Sequence, residues 1–367
     1  MRIFHVLPDQ FTELPSMPEQ IPEQGFLWIG SARREFEVGA ADLQSALQRW
    51  TGGQLVDLHL SVLLNNQLPS HFDYTSWYDL MVFRRLAAGA GTQDLFVDDS
   101  SGTLASARRA LALIDTSPVG FAVFDRVLLT VHPTDCAVRE HFAARLLALS
   151  SAGAEGRGGA RLPSSPADLM LRMVNHMVDS YLDLRRLLTR QLGYLQQQLL
   201  DPKSRFDDWQ MLLESRNALH LLEDTCEDQR SAVQEWIDAL DEWPDEPGAD
   251  KRRERELLRV RSRDVLEHVE RVLSHVRRLE QSAETAVQMH FSALGHRTND
   301  IMRTLTVLTA IFMPLNLVTG FFGMNFDALP LIHSSAGIWV ALGLMVIIVV
   351  VLLAVFRRKH YIGAPER

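Results

Sequence analysis

The 367-residue chain is long enough for two or three structural units, and its formal net charge of -9 argues against a nucleic-acid partner, whose phosphates favour a basic face. The acidic balance suits either a cation-handling surface or an ordinary solvated cytoplasmic portion. Cys136 and Cys226, the two cysteines, stand far apart and indicate neither a disulfide framework nor a zinc ribbon.

The opening stretch from Met1 to Pro8 has no long apolar core with a small-residue cleavage site, so it does not read as a secretory signal and the bulk of the chain is expected in the cytoplasm. Residues 1–150 are mixed in pattern. Phe26-Leu27-Trp28-Ile29, bounded by Gly25 and Gly30, reads as a strand, and Trp77 to Leu86 and Gly120 to Val131 hold similar apolar runs. Ala105 to Ile114 carries helix formers, so an α/β domain is predicted, without a readable strand order. Residues 151–166 are rich in Gly, Ala, Ser and Pro and read as a flexible linker. Gly156-Arg157-Gly158-Gly159 within it follows no strand and does not complete a phosphate-binding fingerprint.

Residues 167–303 are predicted to form a cytoplasmic helical stalk. A first helical stretch ends near Leu240, Trp243 to Gly248 reverses the chain, and a second helix runs from about Lys251 into an apolar segment. The acidic residues near the reversal, Asp238, Asp241, Glu242, Asp245 and Glu246, either attract cations or merely solvate a turn. Val265, Val269, Val272, Val276, Leu279, Ala283 and Ala286 step by four and three, the seam of a helical bundle or coiled coil. His268, His275, His290, His296 and His333 include no pair at the i, i+4 spacing of a local metal site and are expected to be mostly solvated.

Between Arg303 and Asp327, and again from Ala328 to Phe356, no Asp, Glu, Lys or Arg occurs, so each stretch supplies the roughly 20 apolar residues that cross a bilayer. Spans are placed at 304–322 and 337–356, joined by an outer loop at 323–336 and followed by a basic tail at 357–367. Arg297 and Arg303 precede the first span and Arg357, Arg358 and Lys359 follow the second, which puts both termini in the cytoplasm. The second span is almost uniformly aliphatic. The first carries Thr306, Thr309, Met313, Asn316 and Gly320, with Asn299 and Met302 continuing the row on one helical face. Such a stripe either packs against other polar helices or lines a pore. Pro314 removes one backbone hydrogen bond and favours a bend, for structural or gating reasons.

Thr298-Asn299-Asp300-Ile301-Met302, Ile311-Phe312-Met313-Pro314-Leu315 and Phe322-Gly323-Met324-Asn325-Phe326 together resemble the CorA superfamily of divalent-cation channels and transporters, which includes a zinc-transporting, ZntB-like branch. The likeness covers the stalk end, both spans and their loop. It implies an α+β membrane protein of the inner membrane: a funnel-shaped homopentamer with an N-terminal α/β cytoplasmic domain, a long stalk and two transmembrane helices per chain. It further implies a pore lined by Asn299, Met302, Leu305, Thr306, Thr309, Met313, Asn316 and Gly320, with Gly323, Met324 and Asn325 as the selectivity motif and an Asn325 ring at the outer mouth.

Magnesium sheds water reluctantly, so neutral amide oxygens can hold the hydrated ion through its shell, with Gly323 permitting the turn that presents Asn325. Met302 and Leu305 would narrow and dry the inner part of the pore. Asp327 follows the motif and could gather cations at the mouth, while Leu329-Pro330-Leu331 lacks the acid usual in the family's loop. Asp264 resembles a stalk aspartate that binds a regulatory cation between subunits, but its partner acid would fall near Ser61, which is not acidic. A solvated role for Asp264 is the alternative. Arg357, Arg358 and Lys359 resemble a basic collar, and stop-transfer anchoring explains them equally.

The resemblance implies that the transported ion is Mg2+, Co2+, Ni2+ or Zn2+, with no cofactor expected. Partners are a lipid bilayer, the metal ion and further copies of the chain. No nucleophile motif, metalloprotease helix or nucleotide loop marks an enzyme. A membrane-anchored coiled-coil scaffold or sensor without transport is the competing reading.

Overall fold

The computed structural model describes residues 1–88, 111–112, 114–133, 137–151, 161–201, 209–243, 248–324 and 335–359. By contact density the chain divides into two compact units, Met1–Thr285 and Ala286–Arg367.

The first unit is built on a seven-stranded sheet. Its strands are β1 (Arg2–Val6), β2 (Phe11–Leu14), β3 (Phe26–Ala32), β4 (His71–Tyr74), β5 (Asp79–Arg84), β8 (Pro118–Val123) and β9 (Val127–His132), while β6 (Ala87–Ala88) and β7 (Ile114–Asp115) pair apart from it. The order is β2-β1-β3-β9-β8-β5-β4, with β3 and β9 parallel and every other neighbour antiparallel. The two central strands are buried along their whole length, as a strand covered on both faces must be. Ile114, expected to close a helix, instead pairs with Ala88. The rest of the stretch expected as that helix falls largely outside the described residues, as do Cys136 and Gly156 to Gly159.

Alternation along the strands divides the core. Leu27, Ile29, Leu80, Ala122 and Leu129 face α1 (Arg33–Thr51) and α2 (Asp57–Leu64), meeting Phe36, Leu43, Leu47 and Leu63. α2 lies so close to the sheet that a Cβ at Gly120 would come within 2.4 Å of the Leu63 Cδ2, which is why β8 carries a glycine there. On the other face Trp28 stacks on Phe4 at 4.6 Å between centroids and donates from Nε1 to Thr130 Oγ1 at 3.0 Å. That face is covered by α3 (Ala137–Ser151) and α4 (Pro166–Asp179). Ser165 caps α4, its hydroxyl accepting from the Asp168 N–H at 3.3 Å, and Pro166 supplies the first helical position without wasting a donor.

α5 (Tyr181–Leu200), α6 (Trp209–Glu242) and α7 (Ala249–Phe322) follow, then α8 (Ser335–Arg358). Trp236 of α6 anchors it twice, edge-on to Phe72 of β4 at 5.8 Å and donating to Ser262 Oγ of α7 at 2.9 Å. The α7 seam expected from the sequence is buried or half-buried from Val265 to Ala283 within the chain itself, so its first use is to pack the α5, α6 and α7 helices together. Near the α6 end Asp241 accepts from Arg259 Nε at 2.6 Å, so this acid is engaged by the second limb; Asp245 and Glu246 lie outside the described residues.

Candidate functional site

The far part of α7 has no charged residue after Arg303 and no helix breaker except Pro314, through which the helix continues. The eight stripe positions from Asn299 to Gly320 are all on α7 and all exposed, Met302 at 55%, Leu305 at 56% and Met313 at 68%. At 3.6 residues per turn they fall within an arc of about 120°. The less accessible positions, Val307, Ile311, Pro314, Val318 and Phe322, lie on the opposite side of the helix. On α8 the corresponding positions are Gly337, Ala341, Met345, Ile348, Leu352 and Phe356, again three and four apart. That spacing is the one with which two helices pack, and the Asn299 to Gly320 face lies on the other side of α7 from its less accessible positions.

The hydroxyls on this stripe behave differently from its amides. Thr306 donates to the Met302 carbonyl at 2.7 Å and Thr309 to the Leu305 carbonyl at 2.9 Å, so each threonine donor is satisfied within its own helix. Asn299 and Asn316 form no side-chain hydrogen bond among the described residues, and their amides, with up to four bonds each to make, are the groups that call for water or another chain. Gly320 faces open space, so a Cβ there would meet nothing within 4 Å.

Of the selectivity motif, Gly323 and Met324 are described; Asn325, Asp327 and the rest of the outer loop up to residue 334, including Leu329-Pro330-Leu331 and His333, lie outside the described residues. Gly323 donates its N–H to the Thr319 carbonyl at 2.9 Å, and a Cβ would stand only 2.9 Å from that oxygen. The glycine is therefore required by close approach at the helix end. Left-handed backbone, which the turn argument from sequence would invoke, occurs among the described glycines at Gly25 and Gly52 only. Arg357 and Arg358 occupy the last turn of α8, where cations also complement the helix dipole, and Lys359 follows with its N–H on the Val355 carbonyl at 3.0 Å.

Asp264 stands on the exposed side of α7. His268 reaches it at 3.8 Å through Nε2 and reaches Asp179 of α4 at 3.5 Å through Nδ1, so one imidazole links two carboxylates. Ser61 lies on α2 with its hydroxyl donating to the Asp57 carbonyl at 3.1 Å. His275 corrects the expectation of a solvated histidine: it is buried, accepts or donates at Nδ1 to Tyr181 OH at 2.7 Å, and burial beside Arg185 and Arg278 lowers its pKa to about 4. The periodicity carried the signal, since His275 adjoins Val276 and follows Val272 on the buried seam.

Two helices, the apolar part of α7 and Gly337–Arg358 of α8, are long and apolar enough to cross a membrane. With a sheet unit ahead of them, they define the class: a large N-terminal α/β unit followed by a two-span C-terminal hairpin. The family described as "CorA-like Mg2+ transporter protein" matches residues 105–358. The chain belongs to this family, within the CorA superfamily. It is 30% identical over 100 residues to the cobalt/magnesium transport protein CorA of Thermotoga maritima, covering 27% of this chain and 28% of the relative. A protein of the same description from Methanocaldococcus jannaschii is 41% identical over 66 residues, covering 18% of this chain and 21% of the relative. The chain thus aligns with less than a third of either curated relative. The complete structure of the CorA magnesium transporter from Methanocaldococcus jannaschii superposes with a TM-score of 0.71 over 99% of both chains at 17% identity, a likeness of fold.

Proposed function

We propose that this chain transports divalent metal cations across the cell inner membrane as a homopentamer, with both termini in the cytoplasm. The observation that carries the reading is the α7 face from Asn299 to Gly320: it is exposed, it lies opposite the less accessible positions of its helix, and it holds two asparagine amides that form no side-chain hydrogen bond among the described residues. In hydrocarbon those amides are costly unless they meet water or one another. Five copies of the face around an axis supply both, and the open space at Gly320 admits close approach. Family membership and the relatives' descriptions as cobalt/magnesium transport proteins favour Mg2+ and Co2+ among the candidate ions.

In this arrangement residues 1–150 form the cytoplasmic α/β domain, 167–303 the stalk and 304–322 the pore helix. Asn325 from each chain rings the outer mouth and holds the hydrated ion through its water shell, which suits Mg2+ because it dehydrates reluctantly. Asp327 raises the local cation concentration. Asn316 and Asn299 repeat the amide contact further in, and Met302 and Leu305 form the apolar constriction. Asp264, exposed and 3.8 Å from His268, would in this reading sense cytoplasmic cations.

The test is flux of Mg2+, Co2+, Ni2+ and Zn2+ into proteoliposomes, with and without a proton gradient. The Asn325→Ala protein should assemble to the same size and carry no flux. Normal uptake by that variant would remove Asn325 from its role, and absence of flux for every cation in the wild type would favour a scaffold.

A further inference from the structure

Among the described residues, one group of three side chains of the metal-binding types brings its ligand atoms within 4.8 Å of one another: His220, Glu223 and Glu280. We propose that these three form a second cation site, separate from the transport path, that takes a divalent transition-metal ion of the Zn2+, Co2+ and Ni2+ class and ties α6 to α7. The sequence carried half of the signal. His220 and Glu223 stand at i and i+3 and so share one face of α6, but the third ligand comes from another helix 57 positions later and has no local trace.

The geometry is close to what such an ion needs. His220 Nδ1 and Glu280 Oε1 are already 3.2 Å apart. Ligands at about 2.0–2.2 Å from a tetrahedral ion stand about 3.3–3.6 Å from one another, so the cluster must tighten by little more than a side-chain adjustment. Two glutamates and an imidazole leave a fourth position for water, the usual composition of a three-ligand site. The imidazole decides the class of ion: nitrogen donors favour Zn2+, Co2+ and Ni2+, while Mg2+ prefers oxygen and keeps its waters.

The surroundings are electrostatically suited to it. Arg277 Nε donates to Glu223 Oε1 at 2.7 Å and its guanidinium also pairs with Glu227, and Arg216 stands beside His220, so three carboxylates face two guanidinium groups. A net negative charge is left over, which favours a bound cation. Arg216, exposed one turn before His220, donates to its Nε2 at 3.4 Å. This turns Nδ1 toward Glu280, and when the ion takes Nδ1 the ring proton moves to Nε2 and Arg216 swings into solvent.

The site stands on α6 and α7 alone and is independent of the pore. The probe is Co2+ added to the full-length protein in excess Mg2+, read by its visible d–d absorption, which reports nitrogen and oxygen ligation. The expected result is one Mg2+-resistant Co2+ per chain. The apparent affinity should fall about tenfold or more in His220→Ala and in Glu280→Gln, whose side chains are partly exposed so that thermal unfolding without Co2+ stays unchanged. Arg277→Gln should tighten binding, because it removes the competing guanidinium from Glu223. The Asn325→Ala protein should retain the signal, which separates this site from the outer mouth. Equal Co2+ titrations in the wild type and in the His220→Ala, Glu280→Gln double variant would overturn the proposal, as would weakened binding in Arg277→Gln.

Discussion

In the sheet unit Trp28, Leu27 and Ile29 are fully removed from solvent, whereas on α8 Trp339 is 76% exposed and Ile347 61%. The polar groups show the reverse contrast. Thr130 and His132, buried in β9, are tied into side-chain hydrogen bonds with Trp28 and with each other, while Asn316 on α7 is exposed and its side chain bonds to none of the described residues. The difference follows from the surrounding medium. Water drives apolar side chains into the sheet core and charges for each polar group left unpaired there. A bilayer removes the first force and strengthens the second, which accounts for the exposed apolar residues of α8 and, under the proposed function, would keep the polar stripe of α7 for contact with further copies or with the ion's water.

Trp28→Ala should break the first half of this comparison. It leaves a cavity beside Phe4 and removes one of the partners of the Thr130 hydroxyl, which keeps His132, so a loss of about 3–5 kcal/mol in denaturant unfolding is expected, mostly from the cavity. A change below about 1 kcal/mol would mean that this face of the sheet is not a packed core. Asn316→Leu tests the other half. It should leave thermal unfolding of the sheet unit unchanged and lower Mg2+ flux in proteoliposomes by about ten- to a hundredfold, the scale of one lost charge-assisted hydrogen bond. Undiminished flux would return Asn316 to ordinary helix packing.

The two regions also differ in how much of them could be read in advance. Both spans were visible because a bilayer demands an unbroken apolar run, a property of local composition. The Asn299 to Gly320 face followed from helical periodicity, and so did the Val265 to Ala283 seam. The sheet order was hidden because its central pairing joins Leu27 to Val127 across about a hundred residues, and no local pattern encodes that register. β1 was missed because Arg2 and His5 interrupt its apolar residues, and α1 because Arg33, Arg34 and Glu35 open it with charge. The threonines are legible only in part: their side-chain type announces polarity, but the closing of each hydroxyl on its own helix depends on a side-chain rotamer that composition does not encode.

Two titratable groups, the half-buried Asp79 and the buried His275, sharpen the contrast through pH and act with opposite signs. Burial, with Asp125 nearby, raises the Asp79 pKa from 3.8 to about 6. Folding then favours its protonated form, so its contribution is complete below about pH 4 and lost as pH rises through 6. Asp79→Asn should therefore stabilise the protein by about 1–2 kcal/mol at pH 8 and leave it unchanged at pH 4. His275 behaves in the other direction, because burial lowers its pKa from 6.5 to about 4 and folding favours the neutral ring. Its contribution is present above about pH 6.5 and lost as pH falls toward 4, so His275→Gln should flatten the acid side of the stability profile. Parallel melting curves from pH 4 to 8 check both, and a matching shift in the same direction for the two variants would contradict the assignment.

The smallest effect is expected at Thr309, and it separates the amides from the hydroxyls of the same stripe. Its Oγ1 bonds to the Leu305 carbonyl, which already belongs to the helix ladder, so replacing Thr309 by Val removes a local bond and leaves no orphaned group behind. Valine keeps the branched shape and the same rotamer restriction. Flux should stay within about twofold of wild type, the scale of a few tenths of a kcal/mol. If Thr309→Val lowered flux as far as Asn316→Leu, the hydroxyl would have to leave its helix carbonyl during transport and serve the ion directly. The stripe would then act as one polar surface in which the partition between satisfied hydroxyls and free amides describes only the isolated chain.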